Sequence, residues 1–359
     1  MKNKILFTGL IVLIGLFSVR CGSKSAFPDS TKKTNIVNVE LSCVAFYNLE
    51  NLFDTIDSPN TNDTEYTPNG ANKWNTHKYK SKLKRMSYAI SRIGLDHSPI
   101  GAAIIGVSEV ENRAVLEDLV KQPDIADRSY EIVHYDSPDR RGIDVALLYN
   151  PRLFVVSNTK AHPYHMEENP NFQTRDQLLV SGYLQNEKIH VIVNHWPSRY
   201  GGEVASRPSR MAAARVTKSI VDSLQKTDPH AKIIIMGDLN DDPSNVSVAE
   251  TLGAKKNAAD VTGTDLYNTL WATHDKGIGS LAYQGQWNLF DQIIISAPLV
   301  NAERTALKFW KAEVFNRPFL TNQEGQDKGT PKRTHSRGVW LDGYSDHYPT
   351  LIYLIKEAH

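Results

Sequence analysis

Near the end of the 359-residue sequence an acid and an imidazole stand side by side, Asp346-His347 in the stretch GYSDHYP. Such a pair can move protons, or it can simply decorate a turn between Gly343 and Pro349. The same theme recurs upstream. It appears in Asn48-Leu49-Glu50-Asn51, Ser108-Glu109-Val110-Glu111, Asn194-His195-Trp196, Gly237-Asp238-Leu239-Asn240-Asp241 and Trp287-Asn288-Leu289-Phe290-Asp291. Carboxylates, carboxamides and imidazoles do acid–base work near neutral pH and offer hard oxygen atoms to cations. Singly, each has an ordinary reading. Asn48 and the GDLND stretch suit turns, Glu109 a solvated loop, His195 a satisfied core position, Asp291 a cap. Their joint occurrence at the ends of apolar runs points to a polar site at the rim of a sheet.

The runs that must position these groups are legible. Leu41–Tyr47 alternates apolar and small residues, as a strand does. Ala102–Val107 and Ile233–Met236 are wholly apolar, the mark of strands buried on both faces. Ile143–Tyr149, Leu178–Leu184, Ile189–Val193, Gln292–Ile295 and Thr350–Ile355 read as further strands. Thr76–Ile93 reads as a helix with Thr76 as its cap. Tyr79, Leu83, Met86, Ile90 and Ile93 form its stripe, and Gly94 its stop. Ser206–Leu224 reads as a second helix buried through Ala213, Val216, Ile220 and Leu224. Strands joined partly by helices and partly by tight turns imply an α/β fold of mixed sheets with helices outside, the sheets packed face to face.

Lys2 and Lys4, the apolar run Ile5–Val19 and a break at Arg20-Cys21-Gly22-Ser23 describe an export signal. Cys21 stands where a bacterial lipoprotein is cut and acylated, so residues 1–21 are read as a signal segment with Cys21 as its lipobox cysteine, and the chain is expected to be membrane-anchored through Cys21, or else secreted. Residues 22–38, rich in Ser, Lys and Thr, read as a flexible tether, and 39–357 as one domain. The other cysteine, Cys43, lies in an apolar run and is expected to be buried. A net charge of +1 gives no global basic field of the kind non-specific nucleic-acid binders show.

FYNLENLFD, IIGVSEVEN, RGIDVALLY, NHWPSR, IIIMGDLND, WNLFDQIIIS and GYSDHYP together resemble the successive motifs of the endonuclease/exonuclease/phosphatase superfamily, from about Val39 to Ile355. The resemblance implies a four-layered α/β sandwich, two mixed β-sheets face to face with helices outside. It implies hydrolysis of a phosphate ester, with a nuclease cleaving DNA or RNA as the first reading. A phosphatase or sphingomyelinase-type phosphodiesterase is the alternative, and a non-catalytic surface lipoprotein keeping the fold the third. No protein partner is expected. It carries roles over as well. Glu109, Asn48 and Asp346 would hold Mg²⁺ or Mn²⁺. Asp291 would pair with His347 as the base. Asp238 would align the attacking water, Asn240 would donate to a phosphate oxygen, and His195 would protonate the leaving group or bind the phosphate.

Around this set, Arg141, Arg175 and Arg333 are substrate-binding candidates. For Arg141 and Asp144 a turn followed by a strand with a stabilising acid is the other reading. Arg207, Arg210 and Arg215 are expected on a solvated helix face. The stretch 327–338 is read either as a lid over the phosphate or as a surface loop.

Overall fold

Alternation explains why the central runs are apolar at every position. A computed structural model describes residues 38–59, 61–336 and 338–358; the leader, Cys21 and the tether up to residue 37 lie outside them. In β1 (Val39–Leu52) Cys43, Ala45 and Tyr47 pack towards two helices, while Val44 and Phe46 face the other sheet. In β8 (Lys232–Asp238) Ile233 and Ile235 meet a third helix, while Ile234 and Met236 enter the space between the sheets. A strand covered on both sides has no face left for polar residues.

The layers follow from these contacts. Helices α1 (Thr76–Arg92) and α2 (Arg113–Val120) cover one side of a six-stranded sheet. That sheet is ordered β14 (Lys308–Val314), β17 (Thr350–Glu357), β1, β2 (Ala102–Val110), β4 (Asp144–Tyr149), β3 (Glu131–His134). The second sheet has seven strands. Their order is β5 (Phe154–His162), β6 (Gln177–Leu184), β7 (Glu187–His195), β8, β13 (Asp291–Ser296), β10 (Leu266–Asn268), β9 (Ala254–Lys255). Helix α3 (Glu203–Thr227) covers its outer face. The result is the four-layered α/β sandwich of two mixed sheets that the resemblance implied.

Each sheet contains a parallel pair built around a long helix: β1 and β2 around α1, β7 and β8 around α3. Both pairs end at the rim that carries Asn48, Glu109, His195 and Asp238. Gly237 lets β7 and β8 close up there. Its φ is +157°, and a Cβ would stand 2.3 Å from the Asn194 carbonyl oxygen.

Some local expectations shift. Asn75, not Thr76, caps α1, its Oδ1 accepting from the Lys78 amide at 3.1 Å. Gly94 follows the helix at φ +84°. Helix α3 begins at Glu203 and keeps Pro208 inside its first turns. Its buried face runs through Arg210, Ala213, Thr217, Ile220 and Val221, so Val216 and Leu224 are only partly covered. Cys43 is fully buried and burial pushes its thiol up. Strands β3, β5 and β14 and helix α2 were not read from the sequence. The three strands lie at or next to solvent on sheet edges and lack a continuous apolar run.

Candidate active site

Strand register aligns the second sheet's contribution. His195 is paired with Asp238 across β7 and β8, and Asp238 with Asp291 across β8 and β13. On the first sheet Asn48 is paired with Ser108, and both strands bulge immediately afterwards. Glu50, Asn51 and Glu109 adopt positive φ of 48°, 57° and 59°. Such bulges re-aim side chains at functional rims, and here they bring the Glu109 carboxylate to within 3.9 Å of His195 Nε2.

His347 enters from the loop before β17. Its Nδ1 donates to Asp291 Oδ2 at 2.6 Å, and Ser280 Oγ donates to the same oxygen at 2.5 Å. Asp291 and Ser280 are fully buried. On the other side His347 Nε2 is 4.0 Å from Asp238 Oδ2, which lies 3.6 Å from His195 Nε2. Asn48 Nδ2 donates to that Asp238 oxygen at 3.1 Å, while Asp238 Oδ1 accepts from the Asn240 amide at 3.0 Å. Asn240 Nδ2 donates to the Trp196 carbonyl at 2.9 Å. Asn48, Glu109, His195, Asp238, Asn240, Asp291 and His347, drawn from distant parts of the chain, therefore form one connected cluster.

The electrostatics describe a shortage of positive charge. Burial pushes the Asp238 carboxyl up to about 7, with Asp291 and Glu109 adding and His347 opposing. Burial alone would lower the His347 imidazole, but Asp291, Asp238 and Asp346 outweigh it and hold it well above its ordinary value. His195 goes the other way: burial, then Arg175, Arg141 and His347, keep it well below. Its Nδ1 is buried without a partner among the described residues, as is Asp291 Oδ1.

The donor atoms of Glu109, Asn48 and Asp346 are of the type a hard divalent cation takes, although the close clusters of His, Cys, Asp and Glu among the described residues do not include Glu109 or Asp346. Glu109 Oε2 accepts from the Asn51 amide at 3.0 Å, whereas Oε1 has no hydrogen bond among the described residues. Asn48 Oδ1 accepts only from the Glu50 amide, at 2.9 Å. Asp346 Oδ2 is held by Arg333 Nη2 at 3.0 Å, and Oδ1 lies 3.9 Å from His347 Nε2. All three residues offer a hard oxygen with spare capacity. Asp238, Asp291 and His347 also cluster closely enough to hold an ion, although His347 Nδ1 and Asp291 Oδ2 are already bonded to each other.

The outer candidates separate. Arg175 is buried. Its Nη1 donates to Asp139 at 3.0 Å and its Nη2 to the Trp196 carbonyl at 2.7 Å, so these two nitrogens brace the His195 strand end instead of reaching for phosphate. Arg141 is half-exposed, 3.9 Å from Glu109. Asp144 belongs elsewhere: it bonds His134 at 2.9 Å and Ser137, matching the strand-stabilising reading. Arg333 spans Asp346 and Glu50 and is neutralised by them.

Stretch 327–336 is fastened down. Thr334 N donates to the buried Glu50 at 2.5 Å, and the fully buried Lys82 of α1 reaches Thr334 Oγ1 and the Tyr344 carbonyl at 2.5 and 2.6 Å. His335 sits between Trp74 and Trp340, with ring centroids at 5.5 and 5.2 Å. Burial, then Lys78, Lys82 and Arg333, lowers it from 6.5 to about 4. A depressed folded-state value means stability is full above about 6.5 and is lost as pH falls towards 4. The denaturation midpoint should therefore drop across that window, and His335→Phe should flatten the drop. An identical decline in the variant would refute the assignment.

The expected solvated face of α3 is corrected at Arg210, which is fully buried with its Nε 2.7 Å from the equally buried Asp241. That N–H is not directed at the carboxylate and makes no hydrogen bond, so the attraction is between charges. Arg207 pairs with Glu203 at the surface, and Arg215 is about half-exposed. Arg199, from the NHWPSR stretch, donates to the Asn240 carbonyl at 2.9 Å and to Asp241 at 3.2 Å. Ser280, Lys82, Arg199 and Arg210 thus support the site although sequence reading missed their roles. For Arg199, its place in a quoted motif was the available signal.

The family model described as Endonuclease/Exonuclease/phosphatase family matches residues 43–356. Three solved structures are similar in fold. Humanized D. rerio TDP2 gives a TM-score of 0.53 at 11% identity, covering 88% of this chain and 98% of that one. An endonuclease/exonuclease/phosphatase family protein from Bacteroides thetaiotaomicron gives 0.52 at 13%, covering 89% and 97%. A mannosyl-6-phosphatase of Bacteroides thetaiotaomicron VPI-5482 gives 0.51 at 13%, covering 87% and 99%. No curated protein matches the sequence. With the family match spanning most of the chain and the fold agreeing, this protein belongs to the endonuclease/exonuclease/phosphatase family of phosphoesterase hydrolases.

Proposed function

We propose that the protein is a divalent-cation-dependent phosphodiesterase acting on nucleic acid. One observation carries the reading. His195 Nε2 and His347 Nε2 stand 3.6 and 4.0 Å from the same Asp238 oxygen, too far to bond it directly. An oxygen of water or phosphate placed between either imidazole and Asp238 can sit at hydrogen-bond distance, about 2.8 Å, from both members of that pair. One cleft of about 340 Å³ is lined by Arg141, which approaches Glu109 at 3.9 Å, and another of about 140 Å³ by Gly279 and Tyr348, the chain neighbours of Ser280 and His347; such room suits an ester with a group on both sides of phosphorus.

The roles follow the geometry. Asp291 fixes the His347 ring through Nδ1 and leaves Nε2 facing the reacting oxygen. Asp238, oriented by the Asn48 side chain and the Asn240 amide, aligns the water. His195 presents Nε2 to a phosphate oxygen, and the second N–H of the Asn240 amide group is free to donate to another. Mg²⁺ or Mn²⁺ on Glu109, Asn48 and Asp346 would neutralise the charge that develops on the phosphoryl oxygens. Export, with acylation of Cys21, completes the proposal: the enzyme works outside the cytoplasm on scavenged polymer. Loss of palmitate labelling in Cys21→Ala tests the anchor.

Turnover of bis-para-nitrophenyl phosphate and of DNA and RNA should fall at least ~100-fold in EDTA, the loss of several kcal/mol of charge stabilisation. Mg²⁺ or Mn²⁺ should restore it. Full activity after chelation removes the cation from the mechanism, and inactivity on every ester and metal removes the enzyme reading.

A further inference from the structure

The cleft beyond Arg141 is lined by Arg140, Arg141, Phe172, Thr174, Arg175 and Tyr200, among others. It opens off the reacting centre. Arg141 Nη2 lies 3.9 Å from Glu109, and Arg175 shares the Trp196 carbonyl with Asn240. Its only acidic lining residue, Asp139, is bonded to Arg175. Arg140 makes no ion pair among the described residues, and Arg141 approaches carboxylates only at 3.9 and 4.0 Å. Two polar atoms in the wall, Thr174 Oγ1 and Arg175 Nε, are buried without a partner among the described residues.

Rings complete the lining. Tyr200 is 92% exposed, beside Gly201 and Gly202 with φ of +80° and +105°. Phe172 is 37% exposed and leans on Tyr164 at 5.5 Å. The other basic cleft, at Arg85, Lys332 and Arg333, is different: Arg85 is bonded to Asp342 and Arg333 to Asp346. Uncommitted positive charge next to an exposed ring, Tyr200, and a partly exposed one, Phe172, occurs on the Arg140 side. Guanidinium for phosphate and aromatic face for base is the combination that holds a single strand.

We propose that this cleft binds the nucleotide adjoining the scissile linkage, its phosphate on Arg140 and Arg141 and its base against Tyr200 and Phe172. The inference rests on the phosphodiesterase reading and narrows it: the substrate is a strand with a second phosphate one unit away, not an isolated ester.

Two esters test it, para-nitrophenyl thymidine 5′-phosphate and the same ester extended by one thymidylate. In Arg140→Ala and in Tyr200→Ala the ratio of kcat/KM for the extended over the short ester should fall about 10-fold, within the range of a lost stack or phosphate contact. A ratio equal to that of the unaltered protein overturns the proposal. A binding arm works without turnover. Anisotropy of labelled oligothymidylate in EDTA should show Arg140→Ala reducing the slope of log Kd against log salt by about 0.7, and an unchanged slope overturns it. If neither ester is hydrolysed, the phosphodiesterase reading fails while the cleft is still judged by this arm. Inositol bisphosphate displacing the oligonucleotide better than a dithymidylate does, through Arg140 and regardless of Tyr200, overturns the nucleotide assignment in favour of a polyol phosphate.

Discussion

Asparagine in place of Asp291 lowers kcat about 10²–10⁴-fold, the range set by losing a positioned acid–base imidazole. The carboxylate is fully buried and takes two donors on one oxygen, His347 Nδ1 at 2.6 Å and Ser280 Oγ at 2.5 Å. A carboxamide can turn its NH₂ towards Nδ1. The ring then keeps its proton on Nε2 or swings away, and in either case it loses the negative partner that holds it protonated. The change also removes a charge that helps to push Asp238 up, so the fold itself should tolerate it. Steady-state kinetics on bis-para-nitrophenyl phosphate, with a denaturation curve as control, decide the point. A fall of less than threefold at full stability would mean that the Asp291–His347 pair does not serve the reaction.

The largest stability effect is expected at Arg210. Arg210→Met should cost about 3–5 kcal/mol, because it removes the nearer of two cations from a fully buried carboxylate instead of deleting a pair. Asp241 would keep Arg199 Nη2 at 3.2 Å and Ser247 Oγ at 2.6 Å but lose the cation at 2.7 Å. Ser206 Oγ and the Glu203 carbonyl would lose their Arg210 donors. Asp241 follows Asn240 directly, so activity should fall with stability. In the double variant Arg210→Met/Asp241→Leu much of the lost stability should return, since the buried carboxylate goes with its nearer cation while Arg199 keeps Asp242 at 3.4 Å. Urea denaturation reads both. A single-variant loss below about 1 kcal/mol would place this ion pair among those that contribute little.

What could be read from the sequence divides along burial. Strands β1, β2, β7, β8, β13 and β17 are covered on both faces or nearly so, and their apolar runs announced them. β5, whose side chains are mostly exposed or half-buried on an edge, has no such run. The polar groups at the ends of the central strands were legible for the same reason: each interrupts an apolar stretch. Lys82 was not. It is one of several lysines on α1, and its partners Thr334 and the Tyr344 carbonyl, 252 and 262 positions away, mark it as buried. Arg210 and Ser280 were hidden likewise, since neither Asp241 nor Asp291 is tied to its partner by any local pattern.

The pairing of His195 with Asp238 and of Asp238 with Asp291 has a practical outcome. Neighbouring strands keep about 4.8 Å between them whatever the connections do, so the backbone serves as a ruler for these three side chains. Loops around the rim can lengthen, shorten or change composition and so alter which molecule is admitted, while the spacing that acts on phosphorus stays the same.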